Sequence, residues 1–475
     1  MSPHLATIIC SIGILGLFVL DRDRQARTSK ALWIPVVWLS ICSSRMVSQW
    51  LTATGVTSPT QTLDRAAAYL DGSPLDRFLL TGLTFLALIV LVGRRQKVGA
   101  VVRANAPILL FLLYCGVSTL WSDYPGVSFK RWIKALADLA MVLIVLTEQD
   151  RYVAAKRLLA RVGFCLIPIS ILVIKYYPVI GRGWSEWGNT TLSGIATSKN
   201  ELGGICLLFG VASVWRMVQA IRGTAGLHRT RSLIAHGTLV AMALLLMLIA
   251  STMTALSCFL IATALIIATS LTTLQRKSWL MHFLVLAFVS ISCLALFFDA
   301  GSGLVESMGR DSTLTGRTDI WKLVTGMTGS PLFGTGFESF WLGPRLNQIW
   351  SIYWWHPNEA HNGYIEVFLN LGWSGLALLA VVLVTGYRNV VRALRRDPDT
   401  GGLRLAYFVV ALVYNFTESA FRIMHPVWIL FLLASLEVRE GWTCTEVNRA
   451  AVQPASNPEK LLYAGTLNHR IRAAR

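Results

Sequence analysis

Long apolar blocks alternate with short polar turns along most of the chain. Apolar runs occupy 5–20, 31–48, 78–92, 107–121, 132–146, 162–179, 201–219, 232–251, 253–273, 279–298, 364–385, 403–416 and 427–438. A helix needs roughly 20 residues, give or take a few, to cross the hydrocarbon core of a bilayer. Each block therefore reads as a membrane-crossing helix, about twelve to thirteen in total. The blocks at 232–251 and 253–273 have the spacing of a tight hairpin. The fold expected is all-α, a polytopic helix bundle. The first block lacks a basic leader and a small-residue cleavage site, so it reads as a retained helix and not a signal peptide.

Two polar stretches break the rhythm. The first, 181–200, reads GRGWSEWGNTTLSGIATSKN. The second, 300–362, is long enough to fold on its own. It holds an expected helix after Thr318, a Gly/Pro-rich turn SPLFGTGF, and then Trp341, Trp350, Trp354 and Trp355. The chain accordingly divides into N-terminal membrane helices over 1–299, a loop with short helices over 300–362, C-terminal membrane helices over 363–440 and a basic polar tail over 441–475.

Composition agrees with this pattern. The 475 residues are 54% hydrophobic and 14% charged, against about 25% charged in a soluble domain. The net charge of +18 could suggest nucleic acid, but the basic residues sit in short clusters between apolar blocks. Arg22/Arg27/Lys30, Arg94/Arg95/Lys97, Arg151/Lys156/Arg157, Arg222/Arg229/Arg231 and Arg388/Arg392/Arg395/Arg396 fall in alternate turns. This is the arrangement that positive-inside topology requires. It puts those turns and the tail on the cytoplasmic side, and the N-terminus and the 300–362 loop outside. All cysteines except Cys444 lie within apolar blocks and form neither a disulfide framework nor a zinc spacing.

Candidate chemistry gathers on the outer side. His361 stands where the long loop meets a helix, and an imidazole is suited to proton transfer near neutrality. A histidine anchoring or capping the next helix would look the same. Asn362 fits a helix N-cap. Glu366, one turn in, is an acidic residue within a spanning segment, a costly placement that marks functional sites. Arg317 could clamp a diphosphate with its planar fork of donors or simply pair with Asp319. Arg182, Lys199 and Arg345 could complete a basic funnel. Glu418 and Arg422, spaced i and i+4, fit an ion pair or the same site. Asp138, inside a spanning block, reads as a hydrogen-bonding residue. The tryptophans fit interface anchors or platforms for sugar rings. No phosphate-binding loop motif occurs. The two Asp-x-Asp triplets, Asp21/Asp23 and Asp397/Asp399, fall in cytoplasmic basic turns, away from the candidate site. No metal site and no cofactor are expected.

The segments GRTDIW (316–321), SPLFGTGFESFW (330–341) and HNGYIEVFLNLGWSGLALL (361–379) resemble the O-antigen ligase and polymerase superfamily. The ligase pattern of His, then Asn, Ser or Gln, nine residues, Gly, two residues and Gly, Thr or Tyr is met by His361, Asn362, Gly372 and Gly375. SGIATSKNELGG (193–204) is similar to a family segment that often reads His-Lys-Asn-x-Leu-Gly. Ser198 stands in place of that histidine, while Lys199, Asn200, Leu202 and Gly203 are kept. YNFTESAFR (414–422) resembles a late acidic element of the family. The resemblance spans roughly 100–440 and looks closest to exopolysaccharide-production polymerases.

The resemblance implies a GT-C-like bundle in the bacterial inner membrane with its active site facing the periplasm. It implies a metal-independent glycosyltransferase whose donor is a glycan on undecaprenyl diphosphate and whose acceptor is a sugar hydroxyl. On this reading Arg317 stabilises the leaving diphosphate, helped by Arg182 and Lys199. His361 aligns or deprotonates the acceptor, with Glu366 or Glu418 behind it, and Asn200, Arg345, Asn362 and Arg422 line the substrate. A polysaccharide flippase and chain-length or export proteins are the expected partners. Within the family, a ligase acting on lipid A-core stays open beside a polymerase of repeat units. A glycolipid transporter would show repeats and helices broken at mid-membrane, and no repeat is visible. A non-catalytic scaffold for export is the remaining alternative.

Overall fold

The computed structural model describes residues 1–23, 27–53, 72–184, 188–223, 226–271, 278–297 and 314–438. The expected tail over 441–475 and the start of the long loop, 300–313, lie outside these residues. Helices dominate. The one described sheet is a two-stranded antiparallel ribbon in which Arg182–Trp184 pairs with Thr190–Leu192.

The helices, in chain order, are α1 (Pro3–Leu20), α2 (Trp33–Cys42), α3 (Val47–Ala53), α4 (Pro74–Gly93), α5 (Arg95–Ala104), α6 (Ala106–Val117), α7 (Pro125–Leu146) and α8 (Arg151–Tyr176). After the ribbon come α9 (Lys199–Arg222), α10 (Leu227–Ile249), α11 (Met253–Ser270), α12 (Ser278–Phe297), α13 (Leu314–Gly326), α14 (Gly343–Ile352), α15 (Gly363–Arg396), α16 (Pro398–Tyr414) and α17 (Pro426–Ser435).

Every expected apolar block falls on one of these helices, but not every helix is a simple span. Among the described residues seven are long and apolar enough to cross a membrane, or nine if each of two bent pairs forms one span. The bent pairs are α2 with α3, at 54°, and α5 with α6 and its one-turn extension, at 90°. The shortfall from thirteen has local causes. Helix α7 carries Lys130, Arg131, Lys134 and Asp138. Helices α16 and α17 have 17 and 10 residues, and both are largely buried within the protein.

One end of the bundle is stitched by ion pairs. Asp21 meets Arg216 at 2.8 Å, and His236 at 3.1 Å. Arg94 meets Glu148 at 2.7 Å, and Arg392 meets Glu437 at 3.0 Å. These pairs sit at the ends carrying the basic turns. The starts of α9, α15 and α17 and the end of α16 converge at the opposite end.

Helix α15 is broken on purpose. Gly372 has φ 67° and ψ −165° inside it, a backbone region that only glycine enters freely. The break releases backbone groups that must find partners in a low-dielectric setting, and the SPLFGTGF turn supplies them. Trp373 N donates to Pro331 O at 2.9 Å, and Ser374 N to Leu332 O at 3.1 Å. Thr335 N donates to Leu369 O at 3.0 Å, and Gly336 N to Asn370 O at 2.9 Å. The approach is so close that a Cβ on Gly372 would lie 2.3 Å from Leu332 O. The two motifs, distant in sequence, are thus two halves of one joint. Helices α13 and α14 add a second small core on the start of α15, built from Ile320, Val324, Phe340, Leu346, Ile349 and Leu369.

Candidate active site

The site is assembled by two turns at one end of the bundle. Asn362 caps α15, its Oδ1 accepting from Tyr364 N at 3.0 Å and Ile365 N at 3.1 Å. Its own N–H donates to Ser419 Oγ at 3.1 Å, and its Nδ2 to Phe416 O at 3.1 Å. Asn415 organises the facing turn, since its Oδ1 accepts from Ala420 N at 2.9 Å and Phe421 N at 2.8 Å. Gly363 sits between them, where a Cβ would fall 1.8 Å from Asn415 Oδ1. Together these contacts bring His361 against Glu418 and Arg422.

The charged groups form a continuous chain. His361 Nδ1 lies 3.1 Å from Glu359 Oε1 and 3.5 Å from Glu418 Oε2. Both are ionic contacts, neither aligned as an in-line hydrogen bond. Glu359 also binds Arg422 at 2.8 Å, and Arg422 reaches Glu201 at 3.6 Å. Glu418 accepts from Asn200 Nδ2 at 3.0 Å, and Arg317 lies 3.7 Å away. Arg317 also donates to Thr417 O.

This setting fixes the protonation of the cluster. Burial disfavours charge on His361, but the two carboxylates outweigh it and raise its pKa to about 10. Burial likewise opposes charge on Glu359, yet Arg422 and His361 hold it far below the usual carboxylate range. Arg422 is pushed higher still by its acidic neighbours against the opposing pull of burial. His425 goes the other way, to about 3, through burial and the nearby Arg422. It is neutral, and its Nδ1 accepts from Val427 N at 3.2 Å as the cap of α17.

Strain accompanies the charge. Glu338, His361 and Met424 all take positive φ, at 54°, 50° and 55°, a conformation that costs non-glycine residues of order 1 kcal/mol or more each and gathers at functional sites. Glu338 and Met424, with Arg131, Lys134, Glu201 and Arg422, line a cavity of about 360 Å³. That lies within the usual range of ligand clefts, about 300–1,000 Å³.

The sequence-derived residues are not all gathered here. His361, Arg317, Glu418, Arg422, Asn200 and Asn362 come together. Glu366 is buried one turn into α15, but its carboxylate accepts from Trp341 Nε1 at 3.0 Å and from Ala360 N, not from His361. Lys199 opens the same helix turn as Asn200 and makes no hydrogen bond or ion pair among the described residues. Arg182 donates to Ile174 O at 3.2 Å on the ribbon. Arg345 pairs with Asp123 at 2.9 Å and stacks over Phe340. Asp138 does bond as expected, accepting from Trp38 Nε1 and Met424 N, both at 2.8 Å.

Sequence reasoning missed Glu359, Glu201, Glu338, Arg131 and Lys134. Two of them adjoin singled-out residues, Glu359 two before His361 and Glu201 directly after Asn200. Arg131, Lys134 and Asp138 share one face of α7 by their i, i+3 and i+7 spacing.

Glu359, His361 and Glu418 also present donor atoms within 4.8 Å of one another, a set that could hold a metal ion. Two guanidinium groups already serve these carboxylates, and a protonated imidazole is no ligand.

The chain's relatives bear on this geometry. A family model described as O-antigen ligase matches residues 237–380, a stretch that includes His361, the Gly372 joint and the SPLFGTGF turn. The exopolysaccharide production protein ExoQ of Rhizobium meliloti (strain 1021) is 26% identical over 328 residues, covering 66% of this chain and 72% of its own. Both matches support a relationship to the O-antigen ligase and polymerase superfamily. The chain is a multi-pass membrane protein of a glycosyl-transferring class. Glu418 and Arg422 lie beyond the matched stretch but contact Arg317, Glu359 and His361 within it and Asn200 and Glu201 before it.

Proposed function

We propose that the protein transfers a glycan from a polyprenyl diphosphate to a sugar hydroxyl on the periplasmic face of the inner membrane, joining repeat units of a surface polysaccharide. The observation that carries this reading is the Arg422–Glu359–His361–Glu418–Arg317 chain beside a cleft at the bundle end opposite the basic turns. Positive-inside topology makes that end external.

The donor's anomeric carbon is already bonded to a good leaving group, so catalysis needs charge stabilisation and alignment. Arg317 and the imidazolium of His361 supply positive charge to the departing diphosphate. The acceptor oxygen forms the new bond to the anomeric carbon as the carbon–oxygen bond to diphosphate breaks, its electron pair leaving with the diphosphate. The acceptor proton passes to the carboxylate of Glu418. His361, protonated at rest, thus acts as donor and orienter and not as general base. Permanent cations take the place of a metal. Glu366 acts through Trp341 and Ala360 by holding the approach to His361. The loop residues 314–362 cover the glycan, and flippase and chain-length proteins supply and regulate the substrate.

The test is complementation of a deletion strain. His361→Ala and Arg317→Ala abolish polymer while leaving the protein at normal level in the membrane; wild-type polymer in either strain refutes the assignment. The His361-Asn362-x9-Gly372 pattern and the name of the matching family favour a second reading, ligation of finished glycan to lipid A-core. Accumulated long polymer on the lipid carrier would select it.

A further inference from the structure

We propose that Arg131 and Lys134 form a second phosphoanion site, which binds the lipid-linked phosphate of the acceptor while Arg317 and His361 serve the donor's leaving diphosphate. The inference rests on the glycosyl-transfer reading above and extends it to the other substrate.

Helix α7 has two faces. Phe129, Ile133 and Leu136 are exposed at 48%, 41% and 37%, as suits contact with lipid. Arg131 and Lys134 turn the other way and line the 360 Å³ cavity. Asp138, one turn further along that face, fixes the cavity wall by accepting from Met424 N. The face is therefore aimed at the site by a buried hydrogen bond.

The two cations differ in engagement. The Arg131 guanidinium donates to the carbonyl oxygen of Glu338, bracing the strained turn. The Lys134 ammonium is half-buried and makes no hydrogen bond or ion pair among the described residues. A half-buried cation without a close partner is costly to keep, and one that lines a cavity is placed to receive an anion. The carboxylates that face it electrostatically are Glu338 and Asp76, and Arg131 and Arg77 oppose its charge. Asp76 is already engaged by Ser48 N at 2.9 Å. The cavity wall as a whole carries three cations, Arg131, Lys134 and Arg422, against two carboxylates, Glu201 and Glu338. Arg422 is committed to Glu359 and Glu201, which leaves Lys134 to meet an incoming anion. Its tetrahedral ammonium suits phosphate as a point charge.

This group is separate from the first. Arg317 and His361 are joined through Glu418, whereas Lys134 reaches that cluster only across the cavity and Arg422. A polymerising enzyme handles two lipid-linked anions at once, and two cation groups on either side of one cleft provide for both.

The test uses the full chain in detergent, with farnesyl diphosphate as probe and farnesol as its uncharged control. Wild type should bind two farnesyl diphosphates per chain. Lys134→Met should bind one, with at least a tenfold loss at the missing site, and Lys134→Arg should restore it. All variants must keep the wild-type melting temperature and gel-filtration profile. Two sites retained in Lys134→Met would overturn the proposal. So would equal displacement of the probe by phosphatidylglycerol, which would make this a general headgroup site. In a transfer assay, Lys134→Met should raise KM for the lipid-linked acceptor about tenfold while donor KM stays unchanged; a raised donor KM instead would also overturn it. Loss of one site in a protein whose deletion leaves surface glycans normal would sink the transfer reading but keep the anion site.

Discussion

Replacing Glu359 by Gln removes one charge from the centre of the ionic chain while keeping its size. In the native protein Glu359 lies 3.1 Å from His361 and 2.8 Å from Arg422. A unit charge at that distance is worth between about 1 and 5 kcal/mol, from bulk-water screening to the effective dielectric of about 20 near protein surfaces. His361 would keep only Glu418, at 3.5 Å, and burial would still oppose its charge. We expect its pKa to fall from about 10 by about two units, or about 3 kcal/mol. The direction of the stability effect follows from linkage. A raised histidine pKa contributes stability that is complete below the ordinary value of 6.5 and vanishes as pH rises through about 10. In Glu359→Gln that loss should be over about two units earlier. The lowered pKa of Glu359 acts at the other end, giving stability above its ordinary 4.5 that is lost in acid. The assay is a histidine-labelled NMR titration, with the His361 resonance assigned by its absence in His361→Asn. Transfer activity should stay level from pH 6 to 9 in the wild type and decline through about pH 8 in the variant. A wild-type His361 that titrates near 6.5, or a Glu359→Gln variant with an unmoved His361, would refute the ionic account.

Three further outcomes are expected. Gly372→Ala should lower the unfolding midpoint by several degrees, since φ of 67° alone costs an alanine about 1–2 kcal/mol and its Cβ meets Leu332 O; a thermal melt decides. Asn415→Ala should lose two hydrogen bonds that shape the 415–422 turn, costing about 1–3 kcal/mol and most of the activity, and a complementation assay with membrane quantification would separate the two effects. Chelation of divalent cations should leave transfer unchanged, because Arg317, Arg422 and protonated His361 already neutralise Glu359 and Glu418; an activity restored only by added metal would show that these three residues hold an ion instead.

The bundle was legible because hydrophobic blocks of membrane length have few alternative structures. The span count was less so. Helix α7 carries charges that belong to a cavity wall, and α16 and α17 are shielded by neighbours, so apolar length and membrane crossing part company there. The region around His361 was readable from motif order, and Asn362 was readable as a cap from its place before the apolar run. Glu366 was misleading because helical spacing puts it one turn from His361 without saying which way it faces, and Trp341 claims it. Glu359 escaped notice because a loop residue has no period to reveal its partner; the positive φ at His361 turns the imidazole back toward it. The match between Gly372 and the SPLFGTGF turn is a tertiary fit between segments some 40 residues apart, invisible until the broken helix is seen.

The most direct test of glycosyl transfer is the size distribution of lipid-linked glycans in a deletion strain carrying either the wild-type gene or His361→Ala. Transfer between lipid-linked units predicts that the deletion and the His361→Ala strain both accumulate single repeat units on the polyprenyl carrier, and that the wild-type gene restores polymer. Unchanged polymer and no accumulated carrier-linked glycan in the deletion strain would contradict it.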